Sequence, residues 1–108
     1  MTGEQFDLLV KERCEKIVST LSVKGKEYRR DDNPFHNFDR VSERRKCNQA
    51  TALYGMYMKH EQSINDIVDD LELEGIFPSK AMLEEKIGDA INYLILLEGI
   101  IKRDMHEK

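Results

Sequence analysis

The chain has 108 residues, with 17 Lys and Arg against 21 Asp and Glu and a formal charge of −4. That length holds one small domain, residues 1–108, burying about two-thirds of its unfolded surface. The acidic balance argues against a nucleic-acid polymer as partner, since such binders carry a basic excess. Cys14 and Cys47 stand outside any CxxC or Cys/His metal spacing, which predicts two reduced thiols. The opening MTGEQFDLLVKERCEK lacks a secretory pattern, and the longest apolar run, AINYLILLEGII, is too short and too interrupted to span a bilayer. A soluble, intracellular protein without a membrane partner is expected.

Apolar residues recur at helical spacing from Thr2 to Val23 (Phe6, Leu9, Val10, Cys14, Ile17, Val18, Leu21), predicting an amphipathic helix ended by Gly25. A connector, KGKEYRRDDNPFHNFDR (Lys24 to Arg40), follows, in which Asn33-Pro34 forces extended or turn geometry. A short helix is expected from about Phe38 to Lys46. Asn48 suits the cap of a third helix ending before Gly75, and Ser79 caps a fourth from Lys80 to Asp104. No segment alternates as a strand does. The fold expected is all-α: a small helical bundle with two long antiparallel helices. The fourth helix is apolar around nearly its whole circumference, from Ala90 to Ile101, and therefore demands burial on several sides. A homo-oligomer follows as an expectation, a tetramer ahead of a dimer.

The connector packs five cations and four anions among Tyr28, Phe35, His36 and Phe38. Lys24, Arg29 and Arg40 offer donors matched to phosphate oxygens. The rings offer stacking planes, and Asn37 offers the paired donor and acceptor that base-edge reading uses. The alternative is a solvated loop whose aromatics plug the core. On the third helix, Lys59 and Ser63 share a face, and His60 either fills the core or holds phosphate. On the fourth, Glu85, Asp89 and Asn92 share a face. Asp89, set among Ile87, Ala90 and Ile91, wants a partner, for which Lys59 is the candidate; carboxylates at this spacing also suit Mg²⁺.

The pieces KGKEY, PFHNF, KHEQSI and EEKIGDAINYLILL occur in this order over about three-quarters of the chain. Together they resemble the small phage domain associated with nucleotide modification, related to the all-α nucleotide pyrophosphohydrolases of the MazG type. The resemblance implies a phage origin, a MazG-like fold, a nucleotide pocket and the cytoplasm of a host bacterium. Those hydrolases grip Mg²⁺ with an ExxE and an ExxD. Here Glu85 and Asp89 stand four apart, and Lys59, His60 and Ser63 occupy the region of the first motif. A lysine repels the cation that hydrolysis needs while holding phosphate. The expectation is a protein that holds a nucleotide without cutting it, with no catalytic residue, metal or cofactor. It would act as a phage sponge for cyclic dinucleotides such as cyclic GMP-AMP, the signals of CBASS immunity. Its ligand set would be Lys24, Tyr28, Arg29, Phe35, Asn37, Phe38, Arg40, Lys59, His60, Ser63 and Asp89. The alternative is a Mg²⁺-dependent pyrophosphohydrolase, or an accessory of nucleotide modification, with Glu85, Asp89, Asp66 and Asp69 as ligands.

Overall fold

Helix α1 (Gly3–Val18) starts with reciprocal capping that satisfies two otherwise orphaned N–H groups. The Gln5 N–H donates to the Thr2 hydroxyl at 3.1 Å, and the Thr2 N–H donates to the Gln5 side-chain oxygen at 2.7 Å. The computed structural model describes residues 1–106, and at Tyr28 the backbone alone. Its chain forms two compact units, Met1–His36 and Asn37–Lys108. No helix among the described residues is long and apolar enough to cross a membrane.

In the first unit the helical path does not stop at Gly25. It widens over Ser19–Val23, where the Lys24 N–H reaches back five residues to the Ser19 carbonyl, then tightens to 3₁₀ geometry over Lys24–Tyr28. A glycine ends a helix by entering the left-handed region, and Gly25 does not. Asp31 and Asp32 do, at φ 53° and 59°, and the Asn33 N–H closes the turn onto the Arg30 carbonyl at 2.9 Å. Aspartate tolerates that conformation better than most residues. The Asn33 side chain then accepts the Phe35 N–H at 2.9 Å. The connector is thus built from local turns. No residue of α1 is buried, and Phe6, Leu8, Leu9 and Val10 stay exposed.

The second unit carries helices α2 (His36–Arg45), α3 (Gln49–Glu74) and α4 (Lys80–His106). No extended strand occurs among the described residues, and the all-α expectation holds. Asn48 caps α3 by accepting the Thr51 N–H at 2.7 Å, and Ser79 caps α4 by accepting the Met82 N–H at 3.1 Å. Gly75, at φ 66°, closes α3 with its N–H on the Asp70 and Leu71 carbonyls. The short link that follows folds α4 back along α3 as an antiparallel hairpin.

Phe38, Ala52, Leu53, Ala90 and Ile100 form the core, and the small alanines let the helices approach. Two ties fix α2 on this hairpin. Phe38 enters the core and meets the Tyr93 ring edge-on at 6.0 Å. Asp39 accepts two hydrogen bonds from the Arg103 guanidinium, each 3.1 Å long. Their side chains are 21% and 27% exposed, and Asp39 in turn holds the guanidinium of Arg103 above its ordinary basicity. Around this core α4 still leaves Leu83, Leu94, Ile95, Ile101 and Met105 exposed.

The paired geometry sets the energy expected of this link. Asp39→Ala lowers unfolding stability by about 1–2 kcal/mol, and adding Arg103→Ala costs much less than a second such loss. Urea unfolding of the two single variants and the double variant checks this; additive losses contradict it.

Candidate ligand site

Between α2 and the first turns of α3 runs an open cleft of about 570 Å³, within the range of small-molecule sites. Val41 and Arg45, one turn apart on α2, form one wall. Thr51, Ala52, Gly55, Met56 and Lys59 of α3 form the other, with Cys47 at the turn between. The floor is apolar, and two basic side chains, Arg45 and Lys59, stand at its sides. A Cβ built on Gly55 meets no heavy atom within 4 Å, so the cleft is open there. The turn at its end is held by the Cys47 N–H donating to the Ser42 carbonyl at 3.1 Å, with Lys46 at φ 56°.

Consecutive residues of α3 point to different neighbours. Lys59 lines the cleft, whereas His60 turns toward α4. Its ring lies 4.5 Å from that of Tyr93, and its Nδ1 is 4.0 Å from the Asp89 carboxylate. The α3 residue beside Asp89 is therefore His60, in place of the expected Lys59; a helix turns about 100° per residue, which puts the two side chains in different sectors. Burial, and then the Asp89 charge, push the Tyr93 hydroxyl above the ordinary tyrosine range. Ser63 spends its hydroxyl proton on the Lys59 carbonyl at 3.1 Å. The Asn92 side-chain oxygen is buried without a hydrogen-bonding partner.

The remaining expected ligand residues fall in separate settings. Phe38 is only 8% exposed, so its ring serves the core and has no free face on which to stack a base. Asn37 is exposed in the first turn of α2, and Arg40 is exposed with its guanidinium 3.6 Å from Glu43. In the first unit, Lys24 is exposed and Phe35 half-buried. Arg29 folds back so that Nη2 donates to the Leu21 carbonyl at 3.3 Å, while its Nε is buried without a partner. The Tyr28 side chain lies outside the described residues.

The four carboxylates of the alternative metal set do not assemble. Asp66 accepts a hydrogen bond from Gln62 at 2.8 Å, Asp89 faces His60, and no three Asp, Glu, His or Cys side chains converge among the described residues. A smaller cleft of about 310 Å³ at the hairpin end is lined by Ile67, Asp70, Ile76, Phe77, Ser79 and Met82 among others; with an acid and no cation it does not suit phosphate. Sequence reasoning did not single out Arg45, Thr51 or Gly55. The available signal was the four-residue step from Val41 to Arg45, which places a cation and an apolar residue on one face of a helix.

No protein family, curated protein or solved structure matches this chain.

The Tyr93 environment sets an alkaline dependence. With its folded value raised above the ordinary 10.0, Tyr93 holds its proton more firmly folded than unfolded. Its contribution is complete below that value and is lost as pH rises through the folded one. Tyr93→Phe therefore reduces the loss of stability on going from neutral pH to above pH 10, measured by urea unfolding; an unchanged loss contradicts the assignment.

Proposed function

We propose that this protein binds a nucleotide in the α2–α3 cleft and holds it without cleavage. In the fuller form of this reading it is a phage immune-evasion sponge for a cyclic dinucleotide such as cyclic GMP-AMP. It works as a homo-oligomer, a tetramer ahead of a dimer. The observation that carries the reading is the pairing of Arg45 and Lys59 across an apolar floor that Gly55 leaves open. Phosphates need fixed cations, a base needs a flat apolar bed, and the cleft offers both. The resemblance of KHEQSI and its companion segments to nucleotide-handling phage domains supports the same ligand class. The neighbourhood of His60 and Asp89 favours holding over cutting, since Asp89 is directed to a ring and not to a cluster of acids. The apolar side chains left exposed on α4 support the oligomer.

The test is to incubate the protein with cyclic GMP-AMP and Mg²⁺, remove free ligand, heat, and chromatograph what is released. Intact ligand is expected. Degraded ligand contradicts the sponge, and Mg²⁺-dependent loss of a nucleoside triphosphate supports the pyrophosphohydrolase reading instead. Lys59→Ala or Arg45→Ala weakens binding by roughly 10- to 150-fold, the equivalent of the ~1.5–3 kcal/mol of a charged hydrogen bond. Gly55→Leu fills the cleft and abolishes binding while helix content is kept. Affinities unchanged in all three variants contradict the site.

A further inference from the structure

One face of α4 is left over after the core is built. Asp89, Tyr93 and Ile100 mark the side turned to α3 and α2. Away from it, Leu83, Ile87, Leu94, Ile101 and Met105 recur at spacings of four or seven, forming one stripe. Leu83, Leu94, Ile101 and Met105 are 41%, 46%, 43% and 67% exposed. At about 1.5 Å per residue the stripe is about 33 Å long. Its order is palindromic: Leu83 and Met105 lie eleven residues to either side of Leu94, and Ile87 and Ile101 lie seven.

We propose that this stripe is a self-complementary interface, on which a second copy of the chain lays its own α4 antiparallel, with the two-fold axis near Leu94. A two-fold operator requires a surface that matches its own reverse, and the palindrome supplies one. Antiparallel pairing sets apolar residues against apolar residues along the whole stripe.

The charges choose the same direction. Glu98, 63% exposed, is the one ionised residue within the stripe. Antiparallel pairing separates the two copies of Glu98 by about 12 Å along the axis, and each keeps its own Lys102 as partner. On one flank Glu84 comes within about 3 Å along the axis of Lys102 of the second copy, and on the other Lys86 comes equally near its Asp104. Parallel pairing would instead bring the two copies of Glu98 to the same level beside the seam, which is unfavourable for like charges. The interface lies on α4, whereas the cleft lies between α2 and α3, so pairing leaves the cleft open in each copy.

This inference rests on the oligomeric part of the function proposed above, and the test separates the two. In a Cys14→Ser, Cys47→Ser background, Leu94→Cys and Met105→Cys are each oxidised at low micromolar concentration or treated with a short bismaleimide. Circular dichroism checks that the helices persist, and light scattering gives the mass. Expected are covalent dimers through position 94 and none through position 105, because the two copies of residue 105 stand about 33 Å apart. Linking at both positions overturns the antiparallel arrangement. Linking at neither, in a sample with the mass of a dimer or tetramer, overturns this face and leaves the oligomer standing. A monomeric mass for the unmodified chain overturns both.

Discussion

Helix α2 is ten residues long, too short to hold its form in water without packing, and the cleft has no second wall unless α2 is in place. Two neighbouring side chains put it there. Phe38 anchors the first turn in the core, and Asp39 takes both arms of the Arg103 guanidinium from the far end of α4. A forked pair fixes direction as well as distance, so it sets the sector in which Val41 and Arg45 project. The distance between Arg45 and Lys59, and so the charge available in the cleft, follows from a contact made elsewhere.

The second constraint is the turn of α3 between residues 59 and 60. One helix presents a cation to the cleft and an imidazole to α4 at the next position, and the two sides of the helix acquire separate tasks. His60, Tyr93 and Asp89 form a half-buried polar layer between α3 and α4 in which burial, and then the carboxylate, raise the Tyr93 affinity for its proton. Asp89 is thereby occupied on the hairpin side. Lys59 projects instead beside the apolar floor of the cleft, in a chain whose net charge is −4.

Much of this was legible in the residues. Asn48, Gly75, Ser79 and the helical periodicity set the ends of α3 and the start of α4, because caps act through local geometry that few alternatives satisfy. Gly25 misled, since a glycine marks a helix end only when the backbone turns left-handed, and that choice is made by surrounding packing. Phe38 carries the same composition signal whether it stacks a ligand or fills a core; its edge-on contact with Tyr93, far along the chain on α4, is a tertiary fact. Likewise Asp39 and Arg103 are 64 residues apart, beyond any periodic pattern. Arg45 sat in a charged run, where the eye reads solvent. The cleft was therefore the least legible feature, being made by the meeting of two helices and not by a motif.

The claim on which the functional account turns is the location of the ligand. Backbone amide spectra of the ¹⁵N-labelled protein, followed while cyclic GMP-AMP is added, test it most directly. The account predicts shifts concentrated at Val41, Arg45, Thr51, Ala52 and Gly55, with the hairpin end at Ile76 and Phe77 undisturbed. Shifts gathered at the hairpin end, or saturating binding that leaves the cleft amides unmoved, would contradict it.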